Sequence, residues 1–173
     1  MGNRLPLLIA LTLALVACAA PPAGTRPRAA DSAPSPLPRL PGVALTTLAG
    51  DTVDLTRVAH GRVALVSLWA TWCDACQKEM DALNRLDAKA GSDAVVIGVA
   101  VGEERGKVAE FTRRRGLRYT QLVDSDFAFA DAIGQRRIPA TLVVDRRGRI
   151  VFRGEAIDVG SLDALRRAIA EAP

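Results

Sequence analysis

Val63-Ala64-Leu65-Val66-Ser67-Leu68-Trp69 runs directly into Ala70-Thr71-Trp72-Cys73-Asp74-Ala75-Cys76-Gln77-Lys78-Glu79. The first seven residues are almost wholly apolar, and such a run suits a strand buried on both faces. From residue 73 the pattern changes. Cys76, Met80, Leu83, Leu86 and Ala90 recur at intervals of three and four, which predicts a helix over 73–90. Two cysteines three apart therefore sit where a buried strand passes into a helix. Cys73 falls at the helix N-terminus, where free N–H groups and the macrodipole favour negative charge. The thiolate is the reactive form of cysteine, so this position activates Cys73. Cys76, one turn on, can close a disulfide with Cys73 and expel a bound partner. A CxxC behind a strand in a strand–helix–strand pattern reads as a redox site.

The same alternation continues outward. Ala94–Val101 (AVVIGVAV) is a second buried strand. Residues 103–115 follow as a helix, with Val108 and Phe111 inward and Gly116 as its stop. Tyr119–Val123 is extended, and 127–133 is a short helix ended by Gly134. Upstream, Val43–Leu48 and Thr52–Leu55 flank Ala49-Gly50-Asp51 as an N-terminal hairpin. Downstream, 141–144 and 150–153 flank Asp145-Arg146-Arg147-Gly148 as a second hairpin. Ser161 is placed to cap a last helix carrying Leu162, Leu165 and Ile169. The order β-β-β-α-β-α-β-α-β-β-α predicts an α/β sandwich.

Composition agrees. The chain has 173 residues, of which 49% are hydrophobic and 24% charged, too apolar for a long disordered chain. Three cysteines exclude a disulfide-stapled miniprotein. The sequence pI near 9.4 raises the question of nucleic acid. The arginines are scattered and interleaved with acids, so no nucleic-acid partner is expected.

The first forty residues read as an address and a spacer. Arg4 precedes the apolar run Leu5–Val16. A membrane-spanning helix needs about 20 residues, so this shorter run is a signal-peptide core within a leader over 1–17. Residues 18–39 are rich in Pro, Ala, Ser and Arg, a composition that gives an extended, semi-rigid tether. The domain proper is 40–173.

Three motifs carry a family resemblance. Leu68–Glu79 resembles thioredoxin-like proteins of the TlpA/ResA group, which includes periplasmic and membrane-tethered reductants. Gly134-Gln135-Arg136-Arg137-Ile138-Pro139-Ala140-Thr141 matches that group's G-x-x-x-[IV]-P-x-T loop. Leu15-Val16-Ala17-Cys18 resembles the lipobox of bacterial lipoproteins, which would make Cys18 the lipidated residue. The resemblance implies a thioredoxin-like three-layer α/β sandwich with a central mixed sheet and an N-terminal β-hairpin extension. It implies a redox-active Cys73–Cys76 disulfide, a cis-proline at Pro139 against it, and substrate contacts from Trp72, Ile138 and Pro139. Glu79 would lie near the cysteines as a catalytic residue, tuning their proton affinity and relaying a proton to Cys76. No cofactor and no metal are expected. The partners would be disulfide-bearing envelope proteins, including apocytochrome c or copper-site cysteines, and a membrane electron donor of the DsbD/CcdA type. The location would be the periplasmic side of the envelope, with Ala19 in place of Asp favouring the outer over the inner membrane.

Two features depart from the group. Asp81 stands where proline is usual, and Asp74-Ala75 separates the cysteines where Glu-Pro or Gly-Pro is common. Asp74 places negative charge beside Cys73 and opposes thiolate formation, which predicts a reductant rather than a strong oxidant. Other readings of the same fold are a Cu(I)-handling protein and a peroxidase. Dedicated copper chaperones of this fold use a wider cysteine spacing plus histidine, and peroxidases place Pro and Thr ahead of the cysteine. Zinc needs about four ligands, and the domain offers two cysteines and His60. His60 and the Arg146/Arg147/Arg149 cluster read as surface, the cluster as a solvated hairpin tip. Trp69 reads as structural. The bland account of Glu79 is a solvated carboxylate paired with Lys78 or Arg85.

Overall fold

The computed structural model of the chain describes residues 38–171. The leader, Cys18 and the tether up to residue 37 lie outside the described residues. In chain order the elements are β1 (Ala44–Thr47), β2 (Thr52–Asp54), α1 (Leu55–Val58), β3 (Val63–Trp69), α2 (Asp74–Ala90) and β4 (Ala94–Val101). Then come α3 (Arg105–Arg115), β5 (Thr120–Asp124), α4 (Ala128–Ala132), β6 (Ala140–Val144), β7 (Ile150–Gly154) and α5 (Val159–Ala170). None of the described helices is long and apolar enough to cross a membrane.

The strands form one mixed sheet in the order β2-β1-β5-β4-β3-β6-β7. β3, β4 and β5 are parallel, and β6 is antiparallel to β3. The N-terminal hairpin extends the sheet at one edge, where β1 pairs antiparallel with β5. Alternation along β3 sends side chains to both faces. Ala64, Val66 and Leu68 pack into the core under α1 and α4, with Leu55, Phe129 and Ala130. Val63 and Leu65 face α2 and α5, with Leu83, Ala164 and Leu165. Trp69 faces α2 and α3, with Met80, Val108 and Phe111. The result is the expected three layers.

Local differences from the expected elements have physical causes. α1 was not expected. Asp54 caps it by accepting from the Thr56 N–H, and Leu55 is buried beneath it. α3 starts at Arg105 rather than 103, with Glu104 as its N-cap and the Glu103 side chain buried against Thr71. Ser161 is not the cap of α5. Asp158 is, and Ser161 answers it from the third helical position in a reciprocal capping box. The Arg146/Arg147/Arg149 tip is only partly solvated. Arg146 donates to the Ala168, Ile169 and Glu171 carbonyls at the end of α5, and Arg149 pairs with Asp145 at 2.6 Å. Pro38 and Arg39, read as the end of the tether, are bonded into the domain. Ile150 donates its N–H to the Pro38 carbonyl, and Arg39 Nη1 donates to the Arg147 carbonyl.

Candidate active site

β3 ends at Trp69, and four residues later Cys73 caps α2. Its backbone is extended (φ −88°, ψ 96°), and its sulfur accepts the Cys76 N–H at 3.2 Å. Cys73 and Cys76 are joined as a disulfide. Both are nearly covered, with 6% and 2% of their surface exposed. They pack in the cluster of Trp69, Met80, Ala100, Val108 and Phe111, with Ile138 against it. The Ile138–Pro139 peptide bond is cis, as the loop motif implied.

The loop that presents Cys73 is held through Thr71. Its N–H and its hydroxyl each donate to the Glu103 carboxylate at 2.5 Å, and its carbonyl accepts from Gln77 Nε2 at 2.9 Å. Glu103 is buried and also accepts from Lys107 Nζ at 2.6 Å. Burial alone would raise its pKa. The Lys107 and Thr71 donors outweigh that and hold it below the ordinary carboxylate value. The sequence reading missed Glu103. The signal available was an acid immediately behind the apolar strand β4, followed four residues later by Lys107.

Glu79 lies one turn beyond Cys76 but is not bonded to either cysteine among the described contacts. Its Oε1 accepts the Ile157 N–H at 3.0 Å, which ties α2 to the chain ahead of α5. Its Oε2 is buried without a partner. Burial raises its pKa, the Ile157 hydrogen bond opposes the rise, and the nearby Asp158 charge adds to it. It makes no ion pair with Lys78 or Arg85 among the described residues. Tyr119 is pushed up to about 12, chiefly by burial, with the charges of Glu79 and Asp87 adding. Its hydroxyl is likewise buried without a partner.

The two tryptophans differ in burial: Trp69 is structural, as read, whereas Trp72, read as packing and cover for the disulfide, stands largely in solvent. Trp69 is buried, donates Nε1–H to Gln121 Oε1 at 3.1 Å, and packs a tilted ring on Phe111 at 5.4 Å. Trp72 is 66% exposed and lines an open cleft of about 370 Å³ with Leu68, Val101, Phe127, Gln135 and Ile138. It directly precedes Cys73 in the chain. Phe127 adds a second exposed aromatic, 49% open, in the left-handed region at φ 63°. A bulky side chain at positive φ is a backbone outlier. The facing residue is Gly102, at φ 67°, where a Cβ would fall 2.1 Å from the Phe127 ring. The sequence reading did not single out Phe127, because an aromatic at the head of a short helix reads as core. His60 lies far from these residues, in a depression lined by Arg39, Arg57 and Arg147.

The sequence profile of the Redoxin family matches residues 28–167. A protein named thiol-disulfide oxidoreductase ResA, from Halalkalibacterium halodurans, is 30% identical over 108 residues, 62% of this chain and 61% of its own length. A protein named thiol:disulfide interchange protein DsbE, from Yersinia pestis, is 30% identical over 105 residues, 60% of this chain and 54% of its own. The matched segment thus spans less than two thirds of these relatives. Among solved structures, dsbF of MTB superposes with a TM-score of 0.64 at 25% identity, over 78% of this chain and 97% of its own. The three-layer arrangement is thioredoxin-like.

Proposed function

Because the chain belongs to the Redoxin family, we propose that it is a thiol–disulfide oxidoreductase whose Cys73–Cys76 pair reduces disulfides of envelope proteins. The observation that carries this reading is the disulfide at the head of α2, with Cys73 as the N-cap and the Ile138–Pro139 loop against it.

In the reduced protein, the Cys73 thiolate attacks one sulfur of a substrate disulfide. The substrate S–S bond breaks, one substrate thiolate leaves, and Cys73 is held in a mixed disulfide. The Cys76 thiol then loses its proton and attacks the Cys73 sulfur. The Cys73–Cys76 bond forms, the second substrate thiolate leaves, and two electrons have passed to the substrate. Glu79, a half-buried carboxylate with a raised pKa on the same helix, serves as the proton store for Cys76, acting through intervening groups or solvent. Trp72, Phe127 and Ile138 offer apolar surface to an extended substrate segment, and the Ile138 backbone is free to pair with it. The oxidised protein takes two electrons and two protons from a membrane donor of the DsbD/CcdA type.

The setting belongs to the same proposal. Residues 1–17 are a lipoprotein leader, Cys18 carries the lipid, and the tether holds the domain on the periplasmic side, with the outer membrane favoured. The ResA and DsbE names of the relatives support an extracytoplasmic role. Apocytochrome c and copper-site cysteines are candidate substrates.

The test is the reduction potential of the full chain, from glutathione and dithiothreitol titrations. A value near thioredoxin's, about −270 mV, is expected for a reductant. A value near DsbA's, about −120 mV, would reverse the proposed electron flow. Cys76→Ser then traps substrates as mixed disulfides on Cys73.

A further inference from the structure

Positive charge gathers at the end of the sheet opposite the disulfide. β6 is antiparallel to β3, with Val144 beside Ala64, so the Asp145–Gly148 turn lies where β3 begins. Cys73 follows where β3 ends, and seven strand residues separate the two ends by roughly 20 Å. Around the turn a shallow depression of about 760 Å³ is lined by Arg39, Arg57, His60, Arg146 and Arg147. Arg146 is committed to the end of α5 and to Asp93. Arg39, Arg57 and Arg147 are exposed and form no ion pair among the described residues. The domain as a whole is nearly neutral, with 20 basic and 18 acidic side chains between residues 38 and 171. The face is therefore a matter of arrangement, not of excess charge.

The chain also enters the domain at this end. Leu40 donates its N–H to the Gly148 carbonyl, and Ile150 donates to the Pro38 carbonyl. Everything upstream joins the domain here, including the apolar run Leu5–Val16 and the basic Arg26 and Arg28. Any membrane attachment made through that upstream stretch reaches the domain at this end, across a tether long enough to let the face meet the bilayer.

We propose that the Arg39/Arg57/Arg147 face docks on anionic phospholipid headgroups, seating the domain with its disulfide turned away from the membrane. Guanidinium groups match the geometry of phosphate oxygens, and basic clusters next to a membrane segment are drawn to anionic lipid. Each arginine brought to such a surface shifts the docked population by about fivefold, and three together on the order of a hundredfold. Salt screens the attraction. The proposal holds whether the attachment is an acyl chain on Cys18 or the apolar segment itself, and it is independent of the redox reading.

Hydrogen–deuterium exchange on the full chain tests it, reconstituted in vesicles of phosphatidylcholine alone or with phosphatidylglycerol added. Slowed exchange is expected at 39–40, 56–60 and 145–149 on the anionic vesicles only, reversed by salt. Arg39→Glu/Arg57→Glu/Arg147→Glu should abolish the slowing, and the gentler Arg→Gln set should weaken it while leaving exchange in β3 and β4 unchanged. Equal exchange on both vesicles would overturn the proposal. So would protection around Trp72, Phe127 and Ile138, which would put the redox face on the membrane. Protection equal on neutral vesicles would assign the face to a second copy of this chain, and its reproduction by inorganic phosphate would assign it to a free anion, each against the proposal. Reduction of a small disulfide by the same samples reports on the redox reading separately.

Discussion

Thr71 is fixed on three sides, and Glu103 supplies two of them. Removing that carboxylate leaves the Thr71 N–H and hydroxyl without their acceptors in a half-buried site. Hydrogen bonds to a charged group contribute about 1.5–3 kcal/mol each, so Glu103→Ala should lower stability by about 2–3 kcal/mol in urea unfolding and slow reduction of a small disulfide. The two acids also pull in opposite directions with pH. The pKa of Glu103 is lowered in the fold, so its stabilisation is full above the ordinary value of 4.5 and is lost as pH falls through the lower folded value. The pKa of Glu79 is raised, so stability declines as pH rises from 4.5 through its folded value. Glu79→Gln, which keeps an acceptor for the Ile157 N–H, should flatten that second decline, and urea midpoints across a pH series would show it. Phe127 separates strain from use. Left-handed backbone costs a bulky residue about 1–2 kcal/mol, and the half-buried ring returns a similar amount by packing. Phe127→Gly should therefore change stability by less than about 1 kcal/mol, lower turnover of a protein disulfide, and leave a small disulfide unaffected.

At the level of the elements, close approach explains one glycine inside a strand. A Cβ on Gly98 would lie 2.4 Å from Gln121 Oε1 and 2.9 Å from Trp69 Nε1, so β4 must be bare there for the buried Trp69–Gln121 bond to form. Gly98→Ala should destabilise by about 2–3 kcal/mol through overpacking, read again in urea unfolding. The strands and long helices were legible because β3 and β4 are nearly unbroken apolar runs and α2 carries a clear stripe. Cys73, Cys76 and Pro139 were legible because their motifs fall at element boundaries. What stayed hidden depends on side chains meeting across the fold. α1 has four residues and one buried side chain, too few to show a period. Ser161 looked like a cap because the reciprocal partner Asp158 lies three residues earlier in what reads as a loop. Glu103 meets Thr71 across 32 positions, a separation no local pattern reports. Glu79 was read beside the cysteines, and its hydrogen-bond partner turned out to be Ile157, 78 positions away.

Across the whole molecule, the Cys73–Cys76 disulfide and the arginine face stand at opposite ends of β3. The disulfide itself is a weak staple. It closes a loop of only a few residues, so oxidised and reduced protein should differ by roughly 2 kcal/mol in urea stability, and a much larger gap would mean that reduction rearranges the core around it. That small difference suits the proposed cycle, in which the bond opens and closes repeatedly in a fold that stays assembled. The placement of the two tryptophans adds an optical consequence. A disulfide quenches the emission of an adjacent indole, and both indoles are near this one: Trp72 directly precedes Cys73 in solvent, and Trp69 packs in the same buried cluster as Cys73 and Cys76. The protein therefore carries its own gauge of oxidation state in its two indoles. Electron transfer to a partner can be followed by emission alone, with no dye attached and no cysteine spent on labelling.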